Sequence, residues 1–148
     1  MNAIFLAASI VVGAPALKDP PKKDSGIVGE WVVESTMLGG KAGKVASTLR
    51  YEFTADGQWI IRRDGAAVKA VPRQYKVNEK ANPATIDITY QKDGAGGQPP
   101  DMLGIYKIDG DTLTLCYTPG GGERPTTFEP ADGVKVAVLV LKRVKKKD

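Results

Sequence analysis

The chain has 148 residues, 42% apolar and 26% charged, enough for one globular domain with a core of its own. One cysteine and no histidine exclude an internal disulfide, Ser-His and Cys-His nucleophiles, imidazole acid-base chemistry at neutral pH and His-ligated zinc. The formal charge of +4 comes from the ends: residues 25–141 carry 13 Lys and Arg against 14 Asp and Glu, so no basic face for nucleic acid is expected.

The chain starts with an uncharged run, "AIFLAASIVVGAPAL" (3–17), followed at once by "KDPPKKDSG". The run is shorter than the ~20 apolar residues a helix needs to cross a bilayer, so no transmembrane span is predicted, but it has the length of a signal-peptide core. Ala14-Pro15-Ala16 offers small residues where a signal peptidase reads them. Residues 1–16 therefore read as a signal peptide, implying export to the periplasm, cell envelope or exterior. No cysteine stands at the junction, so a lipid-anchored product is not expected. Residues 17–26, with two prolines and mixed charge, read as an extended linker.

From residue 27 the pattern is alternation broken by turn chemistry. "GEWVVES" (29–35) opens it, and "TLRYEFTADGQWIIRRDGAAVKAVPRQYKV" (48–77) holds three strand-like runs divided at Asp56-Gly57 and Asp64-Gly65, a dipeptide that tolerates the positive φ of tight hairpins. Pro72 interrupts the third run and predicts an edge or a bulge there. Asn82-Pro83 turns the chain into "TIDITY" (85–90), with Ile86, Ile88 and Tyr90 on one side and Asp87 and Thr89 on the other. "KDGAGGQPPD" (92–101) reads as a loop, "MLGIYKIDGDTLTLCYT" (102–118) as a hairpin about Asp109-Gly110, and "VKVAVLVLKR" (134–143) as the last strand. The chain is thus predicted to be all-β, a single antiparallel meander of about eight strands. Such a meander has two edges to hide, and closing into an up-and-down barrel removes both; a two-sheet β-sandwich is the alternative. The domain spans 27–143, and the basic tail 144–148 offers screened contact with an anionic surface.

Few residues stand out for chemistry. With Asp109-Gly110 as a two-residue turn, Tyr106 would pair with Leu113, and Gly104, Tyr106, Ile108, Leu113, Leu115 and Tyr117 would share the core face. Cys116 falls on the other face, where it reads as a packing residue, since its activation would need Arg124 or a tail lysine beside it. "GGKAGKV" (39–45) and Gly120-Gly121-Gly122 lack the Gly-Lys-Ser/Thr and helix of a phosphate loop and read as flexible loops. Asp109 and Asp111 bracket a turn glycine, and an inward Asp87 near Arg124 could form a polar anchor. No catalytic residue, metal ligand or cofactor is therefore assigned. Aromatic residues on alternating strands, Trp59, Tyr75, Tyr90 and Tyr106, would line any interior cavity, and with Arg124 they form the candidate ligand-binding set.

Gly29-Glu30-Trp31 resembles the Gly-x-Trp opening of lipocalin-like barrels. Arg143 stands where those folds set an arginine across the tryptophan face to close the barrel base, so the resemblance makes Trp31 and Arg143 the closure pair. The stretch from about Val28 to Arg143 resembles a family of uncharacterised, mostly exported planctomycete proteins with a lipocalin-like domain. The matching pieces are Gly29-x-Trp31, Pro83 followed by Ile86-Asp87, Gly104-Ile105-Tyr106, Gly110-Asp111-x-Leu113-x-Leu115-Cys116, Arg124-Pro125 with Phe128, and Leu141-Lys142-Arg143. The resemblance implies a fold and a secretory habit and brings no activity. Export, the meander and the missing catalytic chemistry give one expectation: a non-enzymatic binding module for a small, partly apolar ligand or an envelope partner. A solid barrel acting as a structural or interaction protein through its basic tail is the alternative.

Overall fold

A computed structural model describes residues 26–45, 48–68, 73–90 and 101–145. The signal-like run, linker residues 17–25, Pro72, the loop 91–100 and the last three tail residues lie outside them. Ten strands follow in order: β1 (Gly29–Leu38), β2 (Lys41–Gly43), β3 (Arg50–Phe53), β4 (Gln58–Arg63), β5 (Ala66–Ala67), β6 (Arg73–Asn78), β7 (Ala84–Tyr90), β8 (Met102–Asp109), β9 (Thr112–Tyr117) and β10 (Ala137–Arg143). Eight of them, β1, β3, β4, β6, β7, β8, β9 and β10, each pair antiparallel with the next, and β10 pairs back onto β1. The result is a closed, lipocalin-like up-and-down barrel. The β10–β1 ladder from Trp31↔Arg143 to Leu38↔Ala137 rules out the sandwich alternative, which would leave both edges open.

The two extra strands are short and cap the ends of longer ones. Asp64 and Gly65 have φ of 53° and 78°, the paired positive values of a two-residue hairpin turn, and join Arg63 to Ala66. Gly39 and Gly40, at 58° and 80°, do the same between Leu38 and Lys41. The expected flexible loop 39–45 is therefore corrected: its two glycines form a tight turn and 41–43 a strand. At Asp56-Gly57 the loop has three residues between Thr54 and Gln58, with Gly57 left-handed at 89°.

Alternation sorts the side chains as expected. Trp31, Val33, Tyr51, Phe53, Trp59, Tyr75, Ile86, Ile88, Tyr106, Leu113, Leu115, Leu139 and Leu141 form one interior cluster, each 7% exposed or less. One expectation fails in detail. Asp109 pairs with Thr112 and Tyr106 with Leu115, so Gly110-Asp111, not Asp109-Gly110, are the central turn residues. The slip is two residues, the period of the strand, so the core face of β8 and β9 is unchanged.

Gly104 marks the tightest point of this face. A Cβ there would stand 2.8 Å from the Cys116 carbonyl oxygen, 3.0 Å from Ile86 Cγ2 and 3.1 Å from Tyr117 Cβ. Two of those neighbours are pinned by ladders on both sides, so they cannot retreat without moving strands. Gly104→Ala is expected to destabilise the fold by about 1–3 kcal/mol. A urea titration reads this as a lower midpoint at constant slope, and an unshifted midpoint would contradict the close fit.

Candidate functional site

The two ends of the barrel differ. At one end the chain enters through Ile27, which is fully buried, and its carbonyl accepts the Trp31 indole N–H at 2.8 Å. Arg143 lies across the same indole, its Cζ 4.1 Å from the ring centroid, and donates to the carbonyls of Val28 at 3.2 Å and Gly26 at 2.5 Å. Gly29 sits under this arginine with φ of 134°, and a Cβ there would come 3.2 Å from Arg143 Nη1. Only glycine combines that backbone angle with that approach. The closure pair Trp31 and Arg143 meets as the resemblance implied, and this end is sealed.

Aromatic rings run inward from the seal. Phe53 meets Tyr75 edge-on at 5.1 Å and lies nearly parallel to Trp59 at 5.8 Å; Trp59 meets Tyr51 edge-on at 5.0 Å. The Tyr75 hydroxyl donates to the Thr54 carbonyl at 2.6 Å. Tyr106 is also deep, 4% exposed, and burial pushes its hydroxyl up to about 12, helped by the negative charge of Glu79. Tyr75 and Tyr106 therefore belong to the packed interior.

The other end carries a charged group on the core face. Arg73, first residue of β6, pairs across to Trp59 on β4 and Tyr90 on β7, and shares their inward face. Its guanidinium carbon lies 5.2 Å from the Trp59 ring and 5.1 Å from the Tyr90 ring. Tyr117, last residue of β9, stands at this end too, opposite Ala137 at the start of β10 and so at the far end from Arg143. Burial raises the hydroxyls of Tyr51 and Tyr117, their mutual proximity and that of Tyr90 raise them further, and the Arg73 charge acts in the opposite sense. Tyr90 carries the guanidinium on its face, Tyr51 meets Trp59 edge-on, and Tyr117 stands at the same end. Two buried donors here, Trp59 Nε1 and Arg73 Nε, have no hydrogen-bond partner among the described residues. Tyr90 is held by its backbone N–H donating to Asp101 Oδ2 at 2.6 Å, and by its hydroxyl on Met102 Sδ at 3.7 Å.

Of the predicted ligand set, then, the structure brings together Trp59 and Tyr90, sets Tyr75 and Tyr106 in the packing behind them, and puts Arg124 elsewhere. Arg124 lies outside the barrel wall. It donates to Asp87 Oδ1 at 2.6 Å, the Gly104 carbonyl at 2.7 Å and the Ile86 carbonyl at 3.3 Å. Asp87 points outward, as the alternation of its strand predicts, because Ile86 and Ile88 take the core face, and it is there, not inside the barrel, that it anchors Arg124. Arg124 thus pins the irregular segment 118–136 to the outer surface of β7 and β8. Beneath that segment Ile105, Cys116 and Val136 form a second small core, with Phe128 and Val138 packed on it. Cys116 is fully buried there; its thiol faces the Thr127 carbonyl at 3.5 Å, and burial pushes it up to about 11. An open cleft of about 450 Å³ lies along the segment, lined by residues including Thr118, Arg124, Thr127, Pro130 and Val134.

Arg73, Tyr51 and Tyr117 were missed as site residues. Arg73 could have been placed inward from Tyr75, two residues on in the same strand, but a charged residue after Pro72 carries no core signal of its own. Tyr51 and Tyr117 could have been found from the same alternation that selected Tyr90. Among the described residues no group of His, Cys, Asp and Glu has the arrangement of a metal site.

Two outcomes test the outer anchor. Ellman's reagent at neutral pH should label Cys116 on the order of 10² slower in the folded protein than in the denatured chain. Arg124→Met should release the 118–136 segment, costing about 1–3 kcal/mol and speeding that labelling before the barrel unfolds. Equal labelling in both proteins would show that Arg124 does not hold the cover. Compared with protein-family models, curated proteins and solved structures, the chain matches none, so the site rests on its geometry.

Proposed function

We propose that this chain is an exported, non-enzymatic β-barrel binding module that takes a small, partly apolar ligand at the barrel end formed by Trp59, Arg73, Tyr90, Tyr51 and Tyr117. The observation that carries the reading is the buried Trp59 indole N–H without a partner, in a side chain 4% exposed and walled by aromatic rings. A buried unpaired donor costs about 1–3 kcal/mol, which a ligand acceptor would recover. Ile61, paired with Tyr51 and partly buried against the core, supplies apolar wall beside it. The export part rests on the uncharged run before Ala16 and the small residues that end it. The absence of an enzymatic role rests on the lack of histidine and on a cysteine whose thiol burial keeps protonated at neutral pH.

N-phenyl-1-naphthylamine, a neutral probe that brightens in apolar surroundings, provides the test. Its fluorescence should rise saturably with the protein, and Tyr90→Ala should weaken binding about five- to tenfold, the loss of one aromatic wall. No enhancement with the intact chain would overturn the cavity reading. It would favour a second one, an interaction protein with a solid barrel whose basic tail meets an anionic envelope surface. A specific observation supports that alternative: Lys145, at the start of the tail, has a side chain 83% exposed whose one ion pair is a loose 3.6 Å contact with Asp111. That reading requires salt-sensitive binding to anionic vesicles that disappears when 144–148 are removed.

A further inference from the structure

Among the described half-buried arginines, one lacks an oxygen acceptor. Arg50 meets Glu30 at 2.9 Å, Arg62 meets Glu52 at 2.7 Å and Arg124 meets Asp87 at 2.6 Å, while Arg143 is capped by two carbonyls. Each of these half-buried guanidinium groups has oxygen acceptors. Arg73, also half-buried, has two aromatic faces and no carboxylate or carbonyl among the described residues, and its Nε is buried without a partner. Arginine cannot shed its proton to escape that position, so the barrel end holds a permanent cation with part of its donor fork unused.

From this contrast we infer that the ligand carries a carboxylate, gripped by Arg73 between Trp59 and Tyr90, with its apolar part against Tyr51 and Ile61. The inference rests on the binding reading above and names its ligand class. Three features favour it. Contact with two rings restrains the guanidinium plane, so little rotamer freedom remains to be lost on binding. The planar fork matches two coplanar carboxylate oxygens in a bidentate pair, and the unpaired Trp59 N–H is a further donor beside it. One guanidinium between two aromatic rings suits a monoanion; a phosphate dianion would call for a second positive group, and among the described residues no other Lys or Arg lies over either ring. A cationic ligand would meet repulsion from Arg73 at short range.

Competition against the neutral naphthylamine probe tests this. Decanoate and decan-1-ol share an alkyl chain and differ in the charged head. With the full chain at neutral pH, decanoate should displace the probe at a concentration about tenfold or more below that of decanol. Arg73→Met should bring the two to within about threefold while the probe still binds, and Arg73→Lys should keep part of the preference, since a point charge lacks the fork. Acetate and inorganic phosphate should displace nothing at the same concentrations. Equal displacement by decanoate and decanol in the native protein, or a preference that survives Arg73→Met, would overturn the inference and leave the binding reading standing. Displacement by acetate or phosphate alone would overturn the amphiphile in favour of a free anion. If the probe never binds, the binding reading fails and this one with it. The decanoate and decanol comparison needs no variant, so misfolding of an Arg73 substitution would not shield the proposal.

Discussion

The pairing of the first strand with the last is the constraint on which everything else depends. Eight strands joined only to their sequence neighbours are an open sheet until Trp31 finds Arg143; then no edge remains among them. The contact joins residues more than a hundred positions apart, and its parts support one another: the indole N–H holds Ile27, the guanidinium covers the ring and captures Val28 and Gly26, and Gly29 leaves room for it. A cation over a buried indole is worth about 0.5–2 kcal/mol, and hydrogen bonds from a charged donor about 1.5–3 kcal/mol. These energies are modest beside the core. What they secure is topology, because they select the closed register over a slipped or open one.

Closure also creates an inside and an outside, and the two sides treat polar groups differently. Outside, Arg124 is spent entirely on the fold: its Asp87 partner and two strand carbonyls fasten the 118–136 cover over Cys116. Inside, Arg73 is sandwiched by aromatic rings with donor capacity left over. Folding stability gains from the first arrangement and carries a cost in the second. Among the described residues, buried side-chain donors are left unsatisfied at one place, opposite the sealed end, the asymmetry expected of a binding site.

Cys116 and its neighbours illustrate how packing decides chemistry. The triple glycine and nearby arginine of this stretch suggest an anion loop when read as a string. In the fold the arginine turns away to Asp87, the thiol sinks under Thr127 and Phe128, and desolvation holds the proton on sulfur. The residue is a small apolar plug between the barrel wall and its cover.

Sequence by itself determined the eight-strand meander and the core face of β8 and β9, because these follow from a two-residue period and from turn residues that tolerate positive φ, while the closure pair was implied by the resemblance to lipocalin-like barrels. It placed Cys116 on the outer face and Asp87 opposite the core residues of its strand for the same reason. Where a turn could be built two ways it could not choose: Asp109-Gly110 and Gly110-Asp111 differ by one full strand period and leave the alternation identical. Only the tertiary structure decided what the two key arginines touch. Alternation with Tyr75 puts Arg73 on the core face, but nothing local names its ring partners, and no strand pattern contains Arg124 at all. The surroundings of each guanidinium are fixed by cross-strand register and by which acceptors remain unpaired once the barrel has closed.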